Sequence, residues 1–223
     1  KPQRTAWTNI LNPFLRRYDF AAAARVDYLI ANSKETQARI QKFYRRDSTV
    51  IYPPVEVQSS KFKVQSEKKN YFLTVGRLTY AKRIDLAIQV CNELKLPLKI
   101  AGTGREGDYL RSIAGPTIEF LGEVSDSALS ELYSSARALI FCALQEDFGR
   151  VPVESMGHGV PVIALKQGGV METVVSEKTG VFFSKPETES LKKAIEHFIK
   201  IERSLPPAAC RKEAEKFSTA KSR

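Results

Sequence analysis

Hydrophobic positions follow two regimes along the 223 residues. From residue 71 onward, short unbroken apolar runs alternate with segments whose apolar residues recur every three or four positions. The runs YFLTVG (71–76), LPLKIAG (96–102), TIEFLGEV (117–124), ALIFCAL (138–144), VPVIAL (160–165) and TGVFF (179–183) have strand length. Helical patterns lie between or after them at 82–94, 125–137, 151–159, 170–176 and 187–202. Ser125 or Asp126 caps one of these, while Pro152 opens another and Gly157 and Gly159 close it. Continuous apolar strands joined through helices by short links predict an α/β fold. The expected form is a Rossmann-like, doubly wound parallel sheet with helices on both faces.

Before residue 71 the pattern loosens. Helices are predicted over 13–25 and 34–46, the second capped by Ser33. Strands are predicted over 26–33 and 48–57, the latter stopped by Pro53-Pro54 because proline cannot donate to a ladder. The polar stretch 58–70 reads as a linker. The chain therefore divides into an incomplete first segment (1–57), a sheet domain (58–205) and a tail of helical composition (206–223).

Composition narrows the class. Hydrophobic residues make up 43% and charged residues 27%, as in folded globular chains. No apolar run approaches the ~18 residues that a membrane-spanning helix needs. Cys91, Cys142 and Cys210 lack CxxC spacing, which argues against a disulfide framework or a zinc site and fits a cytoplasmic setting. The net charge is +10, and residues 1–60 carry ten basic against five acidic side chains. That balance favours phosphorylated ligands or anionic lipid, although a solvated basic face would look the same. No helix-turn-helix or RNP-like motif accompanies the charge, so nucleic acid is not an expected partner.

A doubly wound sheet binds ligands beyond the carboxyl ends of its strands, which directs attention to the loops there. In VGRLTYAK (75–82), Gly76 permits a tight turn, and Arg77 and Lys82 can converge on one anion. A planar fork beside a compact ammonium suits a diphosphate; two solvated cations remain the alternative on spacing alone. The next loop, AGTGREG, carries Gly102 and Gly104 but matches neither a dinucleotide fingerprint nor a Walker loop. Loop 144–151 leads into a short helix. It presents Glu146, Phe148 and Gly149 at a strand end and Glu154 within that helix. Two acids on one side of a crevice suit several hydroxyls of one polyol, and the helix start supplies unpaired N–H donors. His158 reads as a helix-end residue and His197 as a surface residue.

The stretch EDFGRVPVESMGHGVPVIALKQGGVMETV (146–174), in tandem with VGRLTYAKRIDLAI (75–88), resembles the retaining glycosyltransferases of family 4, which have the GT-B fold. The likeness is greatest to mannosyltransferases of lipopolysaccharide O-antigen assembly. VDYLIANSKETQARI and VIYPPVE resemble the family's inter-domain region. The resemblance implies that 1–57 is the end of an acceptor-side N-terminal domain with the crossover, and that 58–205 binds a nucleotide-sugar donor. It implies that Arg77 and Lys82, beside Gly76, hold the diphosphate. Glu146 reads the transferred sugar, and Phe148, Gly149 and Val151 line sugar or phosphate. Glu154 holds the ribose, and Val124 lies near the base. Gly102, Gly104, Gly168 and Gly169 complete the donor side. Arg77, Lys82 and Glu146 are the expected catalytic set.

The same resemblance implies no cofactor and no metal, the basic pair doing a divalent cation's work. GDP-mannose is the favoured donor, with a UDP-sugar as the alternative. The expected acceptor is a glycan or a lipid-linked glycan at the inner face of the membrane. A mainly donor-binding piece should transfer poorly on its own, and its tail should hang free without a partner domain. The competing reading is a non-catalytic nucleotide-binding module, which would have no need of Glu146.

Overall fold

The computed structural model describes residues 6–56 and 70–218. The backbone divides into two units, Lys1–Tyr52 and Pro53–Arg223. In the first, helix α1 (Ala6–Ala23) is followed by strand β1 (Ile30–Ala31), helix α2 (Lys34–Tyr44) and strand β2 (Thr49–Val50). The two strands pair in parallel. Ser33 caps α2 as expected, its hydroxyl accepting from Thr36 N at 3.0 Å. Arg46 closes the end of α1, donating to the carbonyls of Ala23, Val26 and Asp27.

The strand predicted over 48–57 is confined to Thr49–Val50, and two further expectations fail in this unit. Helix α1 begins at Ala6, well before residue 13, because Pro13 removes one backbone bond without ending the helix. The 26–33 run shrinks to two paired residues, since β2 is the single neighbour offered to it among the described residues. The 58–70 linker lies outside the described residues except for Asn70.

The second unit carries the predicted sheet. Its strands are β3 (Tyr71–Val75), β4 (Leu98–Ala101), β5 (Ile118–Gly122), β6 (Ala136–Phe141), β7 (Val162–Leu165) and β8 (Gly180–Phe183). All pair in parallel, in the order β5-β4-β3-β6-β7-β8. The helices are α3 (Ile84–Glu93), α4 (Gly107–Ser112), α5 (Asp126–Ser135), α6 (Arg150–Gly157), α7 (Val170–Thr173), α8 (Thr188–Ile201) and α9 (Pro207–Ala214). Phe72, Ile100, Ala138, Ile140 and Phe183 project to one face and form a core with Leu86, Ile88, Leu191 and Phe198 of α3 and α8. Helices α5 and α6 cover the opposite face, and α9 packs on α6. No helix of the described residues is long and apolar enough to cross a membrane.

The predicted fold class holds, with three differences in detail. Helix α4 forms where the sequence predicts only a loop, because six residues after a glycine-rich turn, with Leu110 alone buried, leave no repeat to detect. Strand β6 starts two residues early, at Ala136. The tail does not hang free. Cys210 and Ala214 are fully buried against the domain, and Phe217 is 6% exposed. Apolar burial here supplies a partner that the sequence did not specify.

Candidate functional site

Strand order reverses between β3 and β6, the point at which a doubly wound sheet characteristically binds ligands beside the loops leaving its strands. The first loop turns at Gly76 (φ 145), a conformation that essentially only glycine tolerates. Arg77 then points outward, exposed, while Leu78 is 2% exposed and plugs the loop's underside. A 3-10 turn over Tyr80–Lys82 returns the chain toward β6, where Leu144 N donates to Ala81 O at 2.8 Å. That bond ties the two loops together. Lys82 Nζ then donates to Glu146 Oε2 at 2.5 Å, and each side chain is 25% exposed. The ammonium also lies 5.8 Å from the Phe141 ring centroid at the end of β6.

The neighbouring cation behaves differently. Arg83, in the left-handed region at φ 47, folds back on Asp85 with both carboxylate oxygens engaged near 3.0 Å, and it reaches Pro186 O. The hydrogen bonds that Arg83 donates to the Asp85 carboxylate raise its pKa further. Of this adjacent pair, Lys82 alone binds the glutamate at the crevice.

Four predicted glycines act on the two loops from outside. A Cβ on Gly102 would sit 2.1 Å from Gly76 O, and one on Gly104 would sit 2.4 Å from Leu78 O. On the other side, a Cβ on Gly168 would lie 2.4 Å from Glu146 O and one on Gly169 would lie 2.1 Å from Asp147 O. Gly169 N donates to Glu146 O at 2.8 Å. The glycines of the β4 and β7 loops therefore let their neighbours' backbones lie against them. Gly149 (φ 85) is the N-cap of α6, whose first turn holds Val151. Val124 follows β5, the edge strand two places from β3.

Glu154 stands apart from the Lys82–Glu146 pair in its own environment. Its Oε2 accepts from the Tyr133 hydroxyl at 3.2 Å, and its Oε1 lies 3.6 Å from Arg150. The pocket in front of it, about 220 Å³, is also lined by Glu56, Asp126, Leu129, Ser130 and His158. Burial first, then the nearby Glu154 carboxylate, pushes the Tyr133 phenol well above its usual range, so it stays a neutral donor. His158 caps α6 as expected, and its ring stacks on Tyr133 at 5.2 Å. His197 is at the surface, 3.2 Å from Glu177.

Sequence reasoning missed Asp126, Ser130 and Tyr133 as pocket residues. Their spacing with Leu129 (i, i+3, i+4, i+7) marks one face of α5 and was the available signal. Glu56 and Arg150 carried no signal of their own. Among the described residues, no group of three or more His, Cys, Asp or Glu is placed to hold a metal ion.

Comparison with known proteins adds a family. The family model described as "Glycosyl transferases group 1" matches residues 56–217. The uncharacterized glycosyltransferase MJ1607 of Methanocaldococcus jannaschii is 34% identical over 137 residues, covering 57% of this chain and 35% of that protein. The O-antigen chain mannosyltransferase RfbU of Salmonella typhimurium is 30% identical, over 84% of this chain and 54% of its own length. The human alpha-1,3/1,6-mannosyltransferase ALG2 is 26% identical, over 86% and 55%. The chain thus spans about half or less of these relatives. Among solved structures, Anabaena Alr3699/HepE in complex with UDP and glucose superposes with a TM-score of 0.80 at 22% identity, covering 93% of this chain and 64% of that one. The lipopolysaccharide outer core galactosyltransferase WaaB gives 0.76 at 19%, over 88% and 59%. These two likenesses establish the fold, a GT-B glycosyltransferase sheet.

Proposed function

From the premise that the chain belongs to glycosyl transferases group 1, we propose that it is the donor-binding part of a retaining hexosyltransferase that takes mannose from a nucleotide-sugar. The observation that carries this reading is the Lys82–Glu146 pair at the point where strand order reverses. A diphosphate would compete for the Lys82 ammonium while a sugar hydroxyl competes for the Glu146 carboxylate. A nucleotide-sugar satisfies both partners at once. A bare nucleotide-binding module would need only the cation.

Arg77 and Lys82 hold the diphosphate and take its growing negative charge as the sugar–phosphate bond breaks, the task a divalent metal has elsewhere. Glu146 orients the transferred sugar. The start of α6, with Gly149 as its cap, offers N–H donors to phosphate. Glu154 holds the ribose, steadied by Tyr133. In the transfer step, C1 of the sugar leaves the phosphate oxygen and bonds to the acceptor oxygen on the same face. The acceptor's proton passes to the departing phosphate. GDP-mannose is favoured through the likeness to RfbU and ALG2, with UDP-sugars as the alternative. The acceptor is a glycan or lipid-linked glycan at the cytoplasmic membrane face, held mainly by an N-terminal domain beyond the present residues. The chain alone is therefore expected to bind donor and to transfer poorly.

Calorimetry with GDP, UDP, GDP-mannose and UDP-glucose tests this reading on the intact 223-residue chain and on Glu154→Ala. Micromolar binding of one nucleotide that is lost in the variant is expected and names the base. Equal binding by both proteins removes Glu154 from the site.

A further inference from the structure

Phe148 lies between Glu146 and Gly149, the residues that aim the crevice carboxylate and open α6. It is 3% exposed and held from two sides. On one side, a Cβ on Gly169 would approach its Cα to 2.5 Å, so the β7 loop lies directly against it. On the other, its ring meets Phe217 edge-to-face, with centroids 5.4 Å apart and planes at 66°. Phe217 is itself anchored. Its carbonyl accepts from Val55 N at 2.9 Å, and Ser218 bridges Val55 in parallel. Val55 is fully buried, and the next residue, Glu56, lines the Glu154 pocket. The far end of the same tail, Cys210, packs elsewhere, 3.9 Å from Thr179 O.

We propose that Phe217 is a positioning residue for the donor site: through Phe148 it fixes the 146–149 loop in the form that binds a nucleoside-diphosphate sugar. The inference rests on the donor-binding reading above. Its physical content is that Phe148 is held at its backbone by the close approach of Gly169 and at its ring by Phe217. Such ring pairs contribute beyond simple burial. Removing the edge leaves Phe148 a void to move into, and Glu146 and Gly149 move with it.

The test compares Phe217→Ala and the milder Phe217→Leu with Cys210→Gly, which loosens the tail without touching Phe148. Amide hydrogen exchange is followed at residues 147–149 and 169, and nucleotide affinity is measured well below each protein's Tm. Expected are faster exchange at those amides and a 2- to 10-fold weaker Kd in Phe217→Ala (roughly the fold-change an aromatic pair converts to). Phe217→Leu should fall between it and the wild type. Cys210→Gly should lower Tm while leaving the loop amides and Kd near wild type. Loop exchange or affinity that tracks Tm alike in all three variants would overturn the proposal. If the wild-type chain binds no nucleotide, the donor reading fails, and the exchange comparison alone decides whether Phe217 fixes the loop.

Discussion

Replacing Glu146 by glutamine separates two roles that the ion pair combines. Lys82 and Glu146 are joined at 2.5 Å, with a quarter of each side chain exposed. An exposed pair is worth about 0.2–1 kcal/mol, and partial burial places this one near the upper end, about 1 kcal/mol. On the donor-binding proposal, a nucleoside diphosphate draws Lys82 away from Glu146 and accepts a carboxylate near its own charge. Glutamine removes both costs, so GDP or UDP should bind about fivefold more tightly. The sugar is affected in the opposite sense. A hydroxyl bonded to a carboxylate gains about 1.5–3 kcal/mol, against about 0.5–1.5 for an amide oxygen. The difference, about 1–1.5 kcal/mol, is roughly tenfold. The intact nucleotide-sugar should therefore bind about as well as to wild type or twofold worse, and its preference over the free nucleotide should fall about tenfold. Paired titrations of both ligands read this ratio directly. If nucleotide and nucleotide-sugar shift by the same factor, Glu146 does not contact the sugar. If the free nucleotide binds more weakly, the competition argument is wrong.

Other consequences are equally direct. Gly169→Ala places a methyl 2.1 Å from Asp147 O and should cost about 1–3 kcal/mol, lowering Tm by roughly 2–12 °C in a scanning experiment. Tyr133→Phe removes a donor from Glu154, whose side chain is 26% exposed and can be hydrated instead, so denaturant titration should show a modest loss of about 0.5–1.5 kcal/mol. Burial pushes the Cys91 thiol from 9.0 up to about 12 and Cys142 higher still. Both thiols stay protonated in the folded chain while the unfolded chain ionises, so this contribution is whole below about pH 9 and is lost as pH rises toward 12. Stability should decline over that range, and a thiol reagent at pH 8 should label Cys91 and Cys142 only after denaturation.

Legibility in the sequence tracked the length and continuity of burial. The strands at 71–76, 138–144 and 160–165 are buried on both faces, and unbroken apolar runs report that directly. The placement of Gly76, Lys82, Glu146 and Gly149 in the loops that follow β3 and β6 was readable because strand ends and turn residues fall together there. The Tyr133 contact with Glu154 was not, since it depends on how α5 rotates against α6. Nothing local to 206–217 foretold that the tail would fold onto α6 and Phe148, because a short segment with a weak apolar repeat acquires its place from its partner. The 26–33 run misled in the reverse direction. It is apolar in composition, yet Val26, Tyr28 and Ile30 are exposed.

Gly102, Gly104, Gly168 and Gly169 give this site an unusual map of vulnerability. Each leaves room for a backbone belonging to another loop, and Gly102 and Gly168 also hold positive φ. A random mutagenesis screen for lost activity should therefore collect hits in the β4 and β7 loops, at residues that need touch no ligand. A redesign of donor preference faces the complementary constraint. Any side chain exchanged beside the Lys82–Glu146 pair is presented in a mould that these four positions set.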